Sequence, residues 1–391
     1  MPPRLANRMS HIAPFEVMEI QSLARELEGL GHDVIHMEIG EPDFPTPSPI
    51  VDAAMRALGG DMMRYTSACG MSDLRALIAA HYLSRFGVTV DPERIIVCAG
   101  ASAALLLAFG VLLNSGDEVL LADPGYPCNR HFVRAMDGVP VSIAVGADSR
   151  YQLTAAHVAR HWTPRTVATL LASPSNPTGT VVSLPALQKI YDETTTRGGT
   201  LIVDEIYQGL TYDGEPTTAL SIAQKENIFV VNSFSKYFQM TGWRLGWLVV
   251  PPAYTRQVET LAQNLFISAS APAQYAAKAA FLPATLTILE ARRAELRERR
   301  DFLVPALRAL GFQIPLIPEG AFYIYADVSK VATDSFQLSR DILREAHVAI
   351  TPGRDFGQHE PEKHIRFAYT QPIARLQEAV NRIGAVLEKT K

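Results

Sequence analysis

Ile228-Phe229-Val230-Val231-Asn232-Ser233-Phe234-Ser235-Lys236-Tyr237, with Thr241-Gly242-Trp243-Arg244-Leu245-Gly246 a few residues on, is the stretch that decides the fold. Its first four residues form an apolar, partly β-branched run, the pattern of a buried strand that delivers a polar loop at its carboxyl end. That loop holds one lysine among hydroxyls and aromatics. A lysine there is ordinarily a solvated charge. The functional alternative is that Lys236 is partly desolvated, so that an amine with an ordinary pKa of ~10.4 can lose its proton and form a Schiff base.

Outward from this stretch, apolar runs recur, each followed by a polar or Gly/Pro turn and usually by a helical pattern: Ile95-Cys98, Val119-Ala122, Val139-Val145, Val167-Ala172, Leu201-Val203, Ile228-Val231 and Leu245-Val250. Strands joined by helical crossovers imply an α/β chain with a largely parallel seven-stranded sheet covered by helices on both faces. The informative polar residues follow these runs: Ser102, Tyr126, Asn176, Asp204 with Tyr207, and Ser233 with Lys236. Open α/β sheets bind ligands outside the carboxyl ends of their strands, so these ends point at one crevice.

The bulk properties set limits. A chain of 391 residues is expected to form two domains, and 48% hydrophobic content suffices for large cores. A net charge of -4 offers no electrostatic footprint for nucleic acid. Cys69, Cys98 and Cys128 show neither CxxC nor metal spacing, which suits a reduced cytoplasmic setting, and Met1-Pro2-Pro3-Arg4 opens without an apolar export segment. The uncharged stretch from Ile95 to Leu113 is long enough for a membrane span, but Gly100-Ala101-Ser102 splits it into strand, turn and buried helix. Near the N-terminus Ile20, Leu23, Leu27 and Leu30 stand at helical spacing, and Gly31 ends the helix. The prolines of Gly40-Glu41-Pro42-Asp43-Phe44-Pro45-Thr46-Pro47 shape a loop and a hinge between domains. Glu290 to Arg300 reads as a helix with a solvated, mixed-charge face. His157 and His161 have metal-compatible i,i+4 spacing but no third ligand, so a surface pair and no metal is expected.

Taken together, Ala172-Ser173-Pro174-Ser175-Asn176-Pro177-Thr178-Gly179-Thr180, Asp204-Glu205-Ile206-Tyr207, Ser233-Phe234-Ser235-Lys236, Gly242-Trp243-Arg244-Leu245-Gly246 and Ile365-Arg366-Phe367 resemble the class I/II aminotransferases, pyridoxal-phosphate enzymes of fold type I. The likeness runs from about Pro14 to the C-terminus. It implies a large cofactor domain over 46–280 and a smaller α/β domain built from both chain ends, 1–45 and 281–391. It implies an imine on Lys236, Asp204 beside the pyridine nitrogen, Asn176 and Tyr207 at the phenolic oxygen, and Tyr126 stacked on the ring. Gly100, Ala101, Ser102, Ser233 and Arg244 would hold the phosphate, with Tyr65 reaching it from the other subunit of a homodimer. Arg366, aided by the backbone near Gly40, would fork onto the substrate α-carboxylate. Glu205, next to Asp204 in an extended segment, should point away.

The activity so implied is ping-pong transfer of an amino group from an L-amino acid to a 2-oxo acid. A carbon-sulfur β-lyase uses the same cofactor site and is the alternative enzyme. A regulator that senses pyridoxal phosphate is a third reading, disfavoured because about 45 residues ahead of the motifs leave no room for a DNA-binding domain. The side-chain pocket is expected from loops such as Ile12 to Phe15 and Asn264 to Ser270. With no second arginine identifiable for an acidic side chain, a neutral donor such as alanine is the first candidate, with aspartate and aromatic amino acids open.

Overall fold

The computed structural model describes residues 4–60, 63–222 and 226–389; the Met1-Pro2-Pro3 start lies outside them. After a short strand β1 (Ile35–His36), the central sheet is built from β2 (Ile95–Cys98), β3 (Glu118–Asp123), β4 (Val139–Ala144), β5 (Thr166–Ala172), β6 (Thr200–Asp204), β7 (Ile228–Ser233) and β8 (Gly246–Val249). All seven apolar runs become its strands. Their order is β2-β8-β7-β6-β5-β3-β4, and β8 runs antiparallel to both of its neighbours while the other pairings are parallel.

Successive residues of these strands face opposite sides, and both sides are apolar. Ile95, Val97, Leu201, Val203, Ile228 and Val230 belong to one buried cluster, whereas Ile96, Ile202, Phe229 and Val231 belong to another. Helices α1 (Glu16–Gly29), α2 (Ser48–Leu58), α3 (Ser72–Phe86), α4 (Gly100–Leu112) and α5 (Pro127–Ala135) come from the first third of the chain. Ile50, Leu74, Ile78 and Tyr82 of α2 and α3 cover the first face, and α4 covers the second with Leu105, Leu107 and Phe109. Each of those three side chains stabilises the fold by about 1.5–3 kcal/mol through burial. The stretch from Ile95 to Leu113 is thus strand, turn and helix, and among the described residues no helix is long and apolar enough to cross a membrane.

The two chain ends meet. β1 pairs in parallel with β10 (Val348–Ala349), while β12 (His364–Ala368) lies between β11 (Thr351–Pro352) and β9 (Tyr323–Asp327) and runs antiparallel to both. Ile20 and Ala24 of α1 pack with Val34, Leu343 and Ala349. Gly31 ends α1 as expected: at φ +89 it lets its own N–H donate to the Glu28 carbonyl and the His32 N–H donate to the Leu27 carbonyl. Leu30 departs from expectation: it is the C-cap of α1 and is 71% exposed.

The mixed-charge helix Pro283–Ala309 also departs from the solvated face expected of it. Arg299 and Arg300 are buried. Arg299 forks onto Asp43 at 2.7 and 3.1 Å and reaches Glu295 and the Thr370 carbonyl; Arg300 pairs with Asp213 at 2.8 Å and donates to the Pro318 carbonyl. Arginine tolerates burial where its planar donors are satisfied by carboxylates and carbonyls together. These contacts tie the proline-rich loop to the C-terminal third.

Candidate active site

Strands β2, β3, β5, β6 and β7 share one direction, so their carboxyl ends open on one edge of the sheet. β8 runs the other way and begins at that same edge. The loops leaving this edge enclose a cavity of about 320 Å³ lined by Ala101, Ser102, Tyr126, Asn176, Asp204, Tyr207, Ser235, Lys236, Arg244 and Arg366, with Gly40 across the opening.

One end of the cavity is built for an anion. Helix α4 starts here with no side-chain cap from Ala99, so its first N–H groups and its dipole are offered to a ligand. Gly100 has φ +76, and a Cβ on it would stand 2.7 Å from Arg244 Nη2, so the guanidinium reaches the helix start. Arg244 itself sits in the left-handed region at φ 53, which turns its side chain back from β8 toward the cavity. The close approach of β8 to α4 requires Gly246: a Cβ there would lie 2.7 Å from the Asn232 carbonyl oxygen and 2.9 Å from Gly100 C. Ser102 and Ser235 line the cavity. Ser233 is one layer behind, its Oγ 2.9 Å from Ser235 Oγ and 3.2 Å from the Leu245 carbonyl oxygen while accepting the Ser235 N–H.

The middle of the cavity suits a flat, electron-poor ring. Asp204 ends β6 with its carboxylate buried, and burial raises its pKa to about 6 against the pull of the Ile206 N–H and Lys236. Glu205 faces away and accepts from Thr218 Oγ1 at 2.8 Å and from the Ala219 N–H. Tyr126 precedes α5 and forms one wall, its hydroxyl pKa pushed upward by burial. Tyr207 also lines the cavity, its hydroxyl 2.8 Å from that of Tyr323. Lys236 donates to the Gly40 carbonyl at 2.6 Å. Burial is the main cause lowering its pKa from 10.5 to about 8; Glu41 opposes this, and Arg366 and Arg244 reinforce it. An amine so poised yields its proton near neutral pH and becomes a nucleophile or base.

Arg366 stands at the other end, on β12. Its Nη1 donates to Asn176 Oδ1 at 3.0 Å, which leaves the amide nitrogen of Asn176 as that side chain's donor. Its Nη2 donates to the Glu38 carbonyl at 2.5 Å and to Thr351 Oγ1 at 3.2 Å, and its Nε is buried without a partner. The guanidinium is sandwiched between the Tyr323 and Phe356 rings, 4.3 and 4.9 Å from their centroids. Among the described residues no carboxylate pairs with it. A buried cation held by neutral groups awaits an anionic ligand.

Beyond these groups the wall is mostly apolar, with Phe15, Val17, Met18, Ile39, Leu105 and Phe132, and its polar members are Gln21, Glu38 and Asp355. Phe15 belongs to the loop expected to line this region; Asn264 to Ser270 do not reach the cavity of their own chain. Tyr65 is 83% exposed and also lies outside it. His157 and His161 are spent locally: His157 Nδ1 accepts the Thr154 N–H in a capping box and His161 Nδ1 contacts the His157 carbonyl. No metal cluster occurs among the described residues. Sequence reading missed Tyr323, Phe356 and Asp355 in the wall. Tyr323 was detectable in principle, since Ala321-Phe322-Tyr323 reads as a strand start, but nothing local marks Asp355.

A family model described as aminotransferase class I and II matches residues 32–383. A valine-pyruvate aminotransferase of Mycobacterium tuberculosis is 38% identical over 99% of this chain and 99% of its own length. An aspartate/prephenate aminotransferase of Thermus thermophilus is 33% identical over 98% of each. The crystal structure of an aminotransferase from Mycobacterium tuberculosis superposes with a TM-score of 0.94 at 37% identity, covering 99% of this chain and 100% of that one. The aspartate aminotransferase of Thermus thermophilus with maleate gives 0.92 at 32% identity, covering 98% and 100%.

Proposed function

This chain belongs to the class I and II aminotransferases, fold type I enzymes that depend on pyridoxal phosphate, and on that premise we propose that its amino donor is an L-amino acid with an apolar side chain, valine foremost, and its acceptor a small 2-oxo acid such as pyruvate. The observation that carries this reading is the cavity wall. Its only arginines among the described residues are Arg244 and Arg366, each with another task, and the surface beyond them is mostly Phe15, Val17, Met18, Ile39, Leu105 and Phe132, with Gln21, Glu38 and Asp355 as its polar members. An acidic side chain would find no cation of its own there. That one relative is named a valine-pyruvate aminotransferase supports the same choice.

The residues present fit the cofactor. An uncapped helix start with Arg244 over Gly100 suits its phosphate, and the buried Asp204 suits a protonated ring nitrogen. Tyr126 would stack on the ring, and Lys236, which lines the same cavity, would carry the cofactor as an imine. When bound, pyridoxal phosphate supplies the electron sink for the pair left on the substrate Cα. Arg366 would take the α-carboxylate on its paired N–H groups, fixing which Cα bond faces the base. Lys236 Nζ, its pKa lowered to about 8, would in its neutral form remove the Cα proton. Asp204 would hold positive charge at the ring nitrogen, while Asn176 Nδ2 and the Tyr207 hydroxyl donate at its phenolic oxygen. The apolar wall would exclude water and seat the side chain. The same residues would serve the 2-oxo acid in reverse, so the two half-reactions alternate on one site.

We infer also that the working unit is a homodimer, because Tyr65 and the loop around Ile267 are exposed and lie outside the cavity of their own chain. The donor reading is tested by adding single amino acids to the holoenzyme and following the visible spectrum of the cofactor in a stopped-flow instrument. Valine, leucine and methionine should convert it faster than aspartate or glutamate. Faster conversion by aspartate than by every apolar donor would overturn it.

A further inference from the structure

We propose that Asp355 is a positioning residue that sets preference among donors by fastening the start of α1 over the substrate side-chain position. This rests on the apolar-donor reading above. Helix α1 lacks a cap of its own, since Phe15 at the N-cap position offers no hydrogen-bonding side chain. The missing acceptor comes from the other end of the chain, 339 residues beyond Glu16. Asp355 Oδ1 accepts the Glu16 N–H at 2.6 Å and Oδ2 accepts the Val17 N–H at 2.8 Å. Both oxygens are thereby used, one per donor.

The anchor is itself held. Asp355 is 4% exposed, its carbonyl accepts from Arg130 Nη2 at 3.0 Å, and the next residue, Phe356, stacks on the Arg366 guanidinium. The segment that positions the carboxylate-binding arginine therefore also positions α1. What α1 carries at this end is Phe15, Val17, Met18 and Gln21, four residues of the cavity wall. A carboxylate accepting two N–H bonds at a helix start combines charge-assisted hydrogen bonding with the helix dipole, so its loss frees the first turn. A wall that can drift by an ångström no longer distinguishes a branched side chain from a methyl group, whereas Arg366 keeps its bonds to Asn176, the Glu38 carbonyl and Thr351, none of which involves the Asp355 carboxylate.

The test uses full-length holoenzyme carrying Asp355→Ala or Asp355→Asn, the latter keeping one acceptor and the shape. Two readouts are needed: amide hydrogen exchange across residues 15–21, and kcat and KM for valine and alanine. Asp355→Ala should speed exchange at Glu16 and Val17 and lower the valine-to-alanine ratio of kcat/KM about tenfold, mostly through KM for valine. Asp355→Asn should fall between it and the wild type on both measures. Equal losses for valine and alanine, or loosened amides with an unchanged ratio, would overturn the inference and leave Asp355 a structural cap. Should the wild type convert no apolar donor, the donor reading fails first. The inference then falls with it, while the exchange data still report whether the cap exists.

Discussion

A buried amine that must lose its proton before it can attack imposes a pH rule on cofactor capture. In cofactor-free protein Lys236, lowered to about 8, is cationic at pH 6 and neutral at pH 9. The bimolecular rate of pyridoxal phosphate capture should therefore rise about tenfold per pH unit up to about 8 and level off above it. Absorbance stopped-flow between pH 6 and 9 checks this, and a flat profile would mean that another group controls the step. Arg366 permits a second separation of causes. Lysine keeps the charge but has no planar fork, so Arg366→Lys should weaken all amino-acid and 2-oxo-acid substrates together, by about 1.5–3 kcal/mol in kcat/KM. Cofactor absorption should persist, because the ring and phosphate residues are elsewhere in the cavity. If the variant lost a carboxylate-free primary amine as badly as it lost amino acids, Arg366 would be a structural charge.

At the scale of elements, the anion end of the site depends on how closely β8 approaches the start of α4. In Gly246→Ala the added methyl would meet three backbone atoms, the Asn232 oxygen at 2.7 Å, Gly100 C at 2.9 Å and Ala101 N at 3.0 Å, none of which can rotate aside. We expect a loss of about 1–3 kcal/mol in stability from overpacking, read from thermal or denaturant unfolding, together with weaker cofactor retention on dialysis. Retention and stability both at wild-type level would show that β8 and α4 are free to separate. The strands were legible because each is a short apolar run bounded by turn residues, and the polar residues lining the cavity because polar side chains at strand ends have few structural reasons to be there. The antiparallel sense of β8 was not legible, since Leu245 to Val250 carries no mark of direction. Asp355 and Tyr323 were missed for a related reason. Their roles depend on α1 and Tyr207, partners remote in sequence, and no local pattern encodes such a pairing. The burial of Arg299 and Arg300 was hidden likewise, because their partner carboxylates, Asp43 and Asp213, lie in loops far upstream.

For the whole molecule, the proposed sharing of sites between subunits can be separated from simple dimerisation. Lys236→Ala and Tyr65→Ala each should be nearly inactive alone. Mixed under conditions that let subunits exchange, they should regain roughly a quarter of the sites, since half of the dimers are mixed and each mixed dimer has one intact site. Proven mixed dimers without recovered turnover would place Tyr65 outside the site. The strand order of the central sheet has a further consequence, for the protein during its synthesis. β2 pairs only with β8, which leaves the ribosome about 150 residues later, a wait of roughly 8–30 s at ordinary translation speeds. Throughout that interval α4, with its unbroken run of alanines and leucines, has no finished surface to lie on and no anion site to present. We therefore expect the nascent chain to need a chaperone most before β8, the last strand of the central sheet, emerges, and the cofactor to bind only afterwards.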